Sequence, residues 1–593
     1  MTHTREGSSA PQRSTMARVN AQRTVSNPGD RGHSHVRIWA RIAVLAPAAA
    51  ILILGYGHRW AGDDSLIYTR AVRQILAGNG PVFNIGERAE SSTGTLWQWL
   101  VVLGHLISGA DPLLVAVVLG LITTTLGYAL AGHAALRLHG SRQMPLPLGV
   151  LLVLPVSAFW DYASSGLETG LVLGWLALCW WLLVTTSRDA PPVRHAATAV
   201  GFGLGPLVRP DLGLVTVVFL AIWLVLLRTG ILRAGGYLAA AAALPVSYEI
   251  FRAGYYGVLI PLPAVSKEAS ESLWGRGLFY AQNFLLPYKL WIPLLVLIAL
   301  ALTQLWRWRL PLPSTTLLRC AAPVLSGLLS MVYVVRVGGD FMHARMLLPG
   351  LFLMMLPVWF VPMNRRTAAS AVTVGVWSLC CLLLWRPPFV SPRYEIYDQR
   401  RGYQGITGSA HPTTQADHLR NRTPFTGRVK RAAGPDGQRL VLEAKFNRSY
   451  LELPLADRFQ ASVAGSRVML GHNGLAVPLD GLSIDPIGLS YPLAAHVERT
   501  GRFKAGADKR LSLPWIIADY TDPGARLPGW VDEKAVAAAR RALSCGRLAE
   551  LQNSVREPLS AGRFWKNLTG SVQRTTFRFP ADPVAAEASA CRD

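Results

Sequence analysis

No GxxxxGK loop, no CxxC pair and no HExxH segment occurs in the 593 residues. The first absence removes the usual backbone cradle for nucleotide phosphates. The other two leave no dedicated zinc site. Cysteine is scarce, with six in all. Cys179, Cys320, Cys380 and Cys381 lie in apolar runs and read as small buried hydrophobes. Cys545 and Cys591 lie near the C-terminus and could pair if that part is extracytoplasmic. Charge is scarce as well: 16% of residues are charged against 51% hydrophobic, and mean hydropathy is +0.28. Length alone would suggest about four soluble domains, but runs of roughly 17–25 apolar residues mark transmembrane helices instead.

Carboxylates are outnumbered, 35 against 59 lysines and arginines, for a net charge of +24. Part of the excess is residues 1–37, an Arg-, Ser- and Gly-rich stretch that reads as a disordered cytoplasmic tail beside anionic lipid. No nucleic-acid-binding motif accompanies it, so nucleic acid is not an expected partner. No small-residue cleavage site follows the first apolar run, which therefore reads as a retained anchor.

Apolar segments fall near 38–57, 113–135, 145–161, 167–186, 196–208, 212–228, 232–251, 289–306, 316–336, 346–362 and 367–386. They predict a polytopic α-helical membrane domain over 38–387 with about eleven spans. The shorter run Thr95–Ile107, which contains His105, reads as re-entrant or interfacial. With the N-terminus inside, the predicted inner loops are basic. They carry Arg137 and Arg142, Arg188 and Arg194, Arg228 and Arg233, Arg307, Arg309 and Arg319, and Arg365 with Arg366. Residues 388–593 lose the apolar runs and predict a soluble, mixed or mainly β domain outside the plasma membrane. Strand signal covers Arg439–Leu453 and Ala461–Leu470, and Asp532–Ala549 reads as an amphipathic helix.

The unusual polar clusters then share the outer side. The first is Gly62-Asp63-Asp64-Ser65, directly after span one. Two adjacent carboxylates can hold a divalent cation (Mg, Mn or Ca), deprotonate a hydroxyl, or do both. They open a short helix that ends at Gly78. One face carries Ile67, Ala71 and Ile75, and the other Arg70, Arg73 and Gln74, so it should lie along the membrane surface, with Asp63 or Asp64 as its cap. Tyr68 lies on the same helix. The other clusters supply Glu168, Arg209 with Asp211, Arg252, Lys267, and Gly338-Gly339-Asp340-Phe341-Met342-His343-Ala344-Arg345. Charges are costly inside a bilayer, so five mixed-sign clusters on one side suggest one polar cavity. An enzyme there, without nucleotide-binding loops, must use a donor that arrives through the lipid. Arg345 and His343, then Arg252 and Lys267, are candidates for a donor phosphate; a carboxylate would take the acceptor proton. Glu168, Arg209, Asp211, Asp340 and Tyr68 would line the cavity. Each also has a plainer use: Glu168 as a helix cap, Asp340 as a turn residue, and Arg209 with Asp211 as a self-contained pair.

These residues resemble a family. An aspartate pair in the first outer loop resembles the GT-C superfamily of membrane glycosyltransferases. Gly62-Asp63-Asp64-Ser65, Ser165-Gly166-Leu167-Glu168, Arg209-Pro210-Asp211 and the Gly338–Arg345 run resemble, more narrowly, the terminal β-(1→2)-arabinofuranosyltransferases of mycobacterial cell-wall synthesis. So do Asp485-Pro486-Ile487-Gly488-Leu489-Ser490-Tyr491 and the basic Gly501-Arg502-Phe503-Lys504. The resemblance implies a GT-C-like fold, a decaprenyl-phosphoryl arabinofuranose donor, and an acceptor at the non-reducing ends of arabinogalactan or lipoarabinomannan. The C-terminal domain would hold the glycan, with Trp515, Trp530 and Tyr520 as stacking residues. Another polyprenyl-phosphate-sugar transferase, or a related membrane protein of flagellar-motor control, shares the architecture. A transporter would instead need an internal repeat and polar residues at mid-membrane.

Overall fold

The computed structural model describes residues 28–140, 144–268, 271–307, 314–391, 393–420, 423–434, 438–445, 449–499 and 508–592. Of the tail expected to be disordered over 1–37, residues 1–27 lie outside the described residues, as does the Gly501–Lys504 motif; residues 28–37 instead open the first helix, Pro28–Gly57.

The N-terminal two thirds is helical. Among the described residues, four helices are long and apolar enough to cross a membrane: Pro112–His139, Pro210–Leu227 with its opening 3-10 turn, Thr315–Arg336 and Arg365–Leu383. Shorter apolar helices stand beside them, at Arg41–Gly57, Thr95–Ser108, Thr169–Thr185, Trp291–Thr303 and Leu348–Val358. Three expected spans are broken rather than continuous; one of them, 196–208, runs as Pro192–Gly203 and Gly205–Val208. Residues 145–161 form helices Leu148–Val153 and Ser157–Ala163, interrupted at Pro155; residues 346–362 run as Leu348–Met355 and then a 3-10 turn. Proline inside an apolar run removes an N–H and clashes with the preceding turn, which hydropathy averaging does not register.

The C-terminal part is mixed rather than mainly β. Strands Arg439–Lys445, Ser449–Pro454, Val463–Ser466 and Leu482–Ile484 form one four-stranded sheet. The first two make an antiparallel hairpin, and the rest of the sheet is parallel. Helices dominate the remainder. The expected single helix over 532–549 is two, Glu533–Leu543 and Gly546–Arg556, because Cys545 turns extended between them. Cys545 is bonded to Cys591 across 46 residues, which ties Glu533–Leu543 to the last helix, Pro583–Ala590. Loop-closure entropy for that separation is worth about 4 kcal/mol. Reduction is expected to cut hydrogen-exchange protection of those helices by up to about a thousandfold, and exchange mass spectrometry with and without reductant checks it.

The helix Asp63–Leu76 joins the two parts. Of its expected solvent face, Arg70 and Gln74 are buried and Arg73 is half-buried. Arg70 donates five hydrogen bonds: to the Phe83 carbonyl and to those of Gly474, Val477, Pro478 and Gly481, at 2.7–3.1 Å. Gln74 donates to the Leu479 carbonyl at 2.9 Å. The helix is amphipathic as expected, but its polar face meets the backbone of the C-terminal part, not water.

Candidate active site

The two carboxylates at the start of that helix have different surroundings. Gly62, not an aspartate, is the N-cap. Asp63 turns toward the C-terminal part. Its Oδ2 accepts from the Gly471 amide at 3.0 Å, and its Oδ1 accepts from the His472 amide at 2.8 Å and lies 2.7 Å from His472 Nδ1. His472 stacks on Tyr403 and lies 3.3 Å from His418. Burial alone would raise the Asp63 pKa. The His472 contact and the two amides outweigh it and hold the carboxyl below its ordinary value.

Asp64 turns the other way, into a small cavity lined by Tyr68, Thr93, Lys267, Arg345 and Leu489. Its Oδ2 is 3.2 Å from the Arg345 guanidinium. Burial pushes its pKa up, and Arg345 and Lys267 only partly offset that. The pair is thus split into a carboxylate held ionised by the C-terminal part and one poised as a base, the arrangement expected where neighbouring acids take different roles.

Arg345 is the centre of the cluster. Besides Asp64 it faces Asp340 and Glu168, each at 3.7 Å. The Glu168 side chain is fully buried, accepts from the Tyr68 hydroxyl at 3.3 Å and lies 4.0 Å from Arg209. It makes no capping hydrogen bond. Arg209 pairs bidentately with Asp211 at 2.6 and 2.8 Å, as their spacing across one proline allows, while its remaining nitrogen faces Glu168. Asp340 is both a turn residue and a cavity residue: Oδ1 accepts from the Phe341 amide at 2.9 Å while Oδ2 faces Arg345. The turn itself depends on Gly339. Its φ is +71°, and a Cβ there would sit 2.4 Å from the Tyr280 ring. Tyr280 in turn donates to the Met342 carbonyl and accepts from the Met346 amide, fixing the backbone that carries Arg345.

Some expected residues take other parts. His343 is buried, with Nδ1 2.7 Å from Asn283 Oδ1 and Nε2 3.3 Å from the Tyr288 hydroxyl. Burial pushes its pKa down to about 3, so it is neutral and unsuited to pair with phosphate. Arg252 is already matched, to Glu90 at 2.7 Å and Glu249 at 2.5 Å, and braces the loop after Asn84. Trp515 is wholly buried, donates to the Ala581 carbonyl and packs edge-on against Phe579; Tyr520 is buried too. Trp515 therefore offers no face to a sugar. Trp530 is 63% exposed. The aspartate pair does not fit a divalent cation. Asp63 has both oxygens filled by donors and Asp64 faces two cations, a set that suits an anion. Among the described residues no group of three His, Cys, Asp or Glu is placed to hold a metal.

The partners of Asp63 were not legible in the sequence. His472 is about 400 positions away, in Leu470-Gly471-His472-Asn473-Gly474, with no apolar run beside it. Gly471 explains the approach: a Cβ there would lie 2.0 Å from the Asp63 carbonyl oxygen. Gly471→Ala is therefore expected to displace the helix Leu470–Ala476 and lower transfer at least tenfold, which transfer rates and limited proteolysis together would register. The Asp485 motif serves the same wall. The buried Asp485 carboxylate accepts from the amides of Ile487, Leu489 and Ser490, setting the loop that places Leu489 in the cavity. Burial pushes its pKa up to about 6.

The AftB family C-terminal domain model matches residues 452–588. Terminal β-(1→2)-arabinofuranosyltransferase of Mycobacterium tuberculosis is 35% identical, covering 92% of this chain and 96% of the relative. The protein of that name from Corynebacterium glutamicum is 33% identical, covering 93% and 87%. With likeness running through both the helical part that carries Asp64 and Arg345 and the C-terminal part that grips Asp63, the chain belongs to the terminal β-(1→2)-arabinofuranosyltransferase family.

Proposed function

We propose that this protein is a plasma-membrane glycosyltransferase that moves arabinofuranose from a polyprenyl-phosphate carrier, decaprenyl-phosphoryl arabinofuranose, to the non-reducing ends of cell-wall arabinan, forming terminal β-(1→2) linkages. In this reading the helical part crosses the bilayer about eleven times. The C-terminal part stands outside the membrane and the N-terminus inside. The positive-inside distribution of arginines supports that orientation.

One observation carries the chemistry: Arg345 and Asp64 stand 3.2 Å apart, with Lys267 lining the same cavity. Arg345 and Lys267 neutralise the phosphate as the sugar–oxygen bond breaks. Asp64 takes the proton of the acceptor hydroxyl as that oxygen bonds to the anomeric carbon. A β-phosphate donor that yields a β linkage requires retention. A base placed beside the phosphate anchor supports attack from the leaving-group side, whereas an inverting enzyme sets its base on the opposite face of the ring. Glu168 and Asp340 limit how far Arg345 can swing. Asp63 positions the start of the helix and does not take the proton.

The test is transfer by the purified full chain from decaprenyl-phosphoryl arabinofuranose to a synthetic arabinan, with linkage analysis of the product. Formation of terminal β-(1→2) arabinofuranose is expected; failure with this donor and success with a mannosyl carrier would overturn the reading. A pH profile gives a second check. Asp64 acts deprotonated and its pKa is raised, so activity is present above that raised value and lost as pH falls through it. The acid limb of kcat should lie above the ordinary carboxylate range and disappear in Asp64→Asn.

A further inference from the structure

Lys267 lines the Asp64 cavity, yet both of its chain neighbours are tied to the C-terminal part. Lys267 follows directly on the short helix Leu262–Ser266, whose Pro263 lines the same cavity. On one side of it, the Ser266 hydroxyl donates to the Ile487 carbonyl, in the loop that Asp485 organises. On the other, the Glu268 carboxylate accepts from Nε and Nη2 of Arg578 at 2.8 and 2.9 Å and meets the ammonium of Lys509. Lys509 is fully buried and also donates to the Ala495 carbonyl at 2.8 Å. Arg578 donates in addition to the Thr575 and Phe577 carbonyls, at 3.0 and 2.7 Å. Burial alone would raise the Glu268 pKa; Arg578 and Lys509 outweigh it and hold the carboxyl below its ordinary value. Ion pairing continues past this point, with Glu271 on Arg499 and Arg276 on Asp508, each at 2.6 Å.

The backbone of Glu268 marks the same spot. Its φ is +47°, in the left-handed region that glycine enters freely and a residue with a Cβ enters at a cost. Just past the end of a helix, glycine is the favoured residue. A glutamate stays in that conformation only where its surroundings hold it, and here they hold its carboxylate. Glycine would relieve the backbone but could not supply that group. Lysine carries a point charge on a flexible four-carbon stem, so its reach to a phosphate depends on where its backbone is fixed. Consecutive Cα atoms lie about 3.8 Å apart, so Lys267 is pinned one residue away on both sides.

We propose that Glu268 is a positioning residue: gripped by Lys509 and Arg578, it fixes the backbone that presents Lys267 to the phosphate of the lipid donor, so that the C-terminal part completes the donor site. The phosphate role of Lys267 rests on the function proposed above. The experiment compares purified full chain as wild type, Glu268→Gln, Lys267→Ala and the double variant. It measures donor and acceptor KM in transfer, and binding of decaprenyl phosphate in detergent micelles. Glu268→Gln keeps the shape and loses the charge. It is expected to raise donor KM about tenfold with acceptor KM unchanged, and to add less than about twofold in the Lys267→Ala background. An equal loss in both backgrounds would mean that Glu268 does not act through Lys267, and would overturn the proposal. So would a wild-type donor KM in Lys267→Ala, which leaves nothing to position. If Glu268→Gln unfolds more readily than wild type, Arg578→Gln, which opens the clamp at its half-buried partner, goes through the same cycle. Decaprenyl phosphate binding that weakens in Glu268→Gln only when Lys267 is present, in a protein that transfers no arabinofuranose, would uphold the positioning and sink the proposed reaction. Arabinofuranose transfer with additive losses would do the reverse.

Discussion

Arg345→Gln is expected to lower transfer by about 10²–10³ or more. The guanidinium is buried among Asp64, Glu168 and Asp340, and it is the cation nearest the base. Removing one partner of a buried ionic cluster typically costs about 3–5 kcal/mol, and each 1.36 kcal/mol on a barrier is tenfold. Two losses coincide. The departing phosphate is left with Lys267 alone as counter-ion, and three carboxylates are left facing one another, so Asp64 is driven further toward its protonated, inactive form. Arg345→Lys restores charge but not the fork that reaches three acids at once, and should recover only part of the rate. Assay over a range of lipid-donor concentrations separates the two effects. A rise in KM reports phosphate binding; a fall in kcat reports the base. Wild-type kcat and KM in Arg345→Gln would refute the assignment.

Asp64→Asn is the second large effect, expected at about 10²–10⁴ in kcat, the usual worth of a positioned base. Asn keeps the shape and the contact with Arg345 but cannot accept the proton. Asp63→Asn makes the sharper comparison. Its oxygens already serve Gly471 and His472, so its loss should act on the docking of the C-terminal part. The expected drop is about tenfold, with easier proteolysis near Leu470–Ala476 and no change in the acid limb of the pH profile. Equal effects of the two substitutions on kcat and on that limb would show that the pair acts as one unit and would refute the division of labour.

How much of this was legible in advance depended on distance along the chain. The Asp-Asp pair, Glu168, Arg209, Asp340 and Arg345 stood out because charge at the end of an apolar run is conspicuous, and they do meet in one cluster. His343 and Arg252 are equally conspicuous, but burial leaves His343 neutral, and Arg252, bound to Glu90 and Glu249, is not among the residues lining the Asp64 cavity; neither fact has a sequence signal. Trp515 was misread because aromaticity fits a sugar platform and a core equally well. The partners of Asp63 were invisible, since Gly471 and His472 meet it through contacts about 400 residues apart that no local pattern encodes. The helix content of the C-terminal part was underestimated for a related reason. Short strands give a clear alternation, whereas brief helices such as Leu513–Tyr520 are set by what they pack against.

The five carbonyls gathered by Arg70 have a consequence for inheritance and engineering. The seat of the helix that carries Asp64 is shared property, written partly before residue 94 and partly after residue 465. A tail grafted from a cousin with different backbone turns there would arrive at a helix that no longer fits its socket. Chimeras should therefore work only when the two stretches travel together, and divergence within the lineage should show them drifting in step.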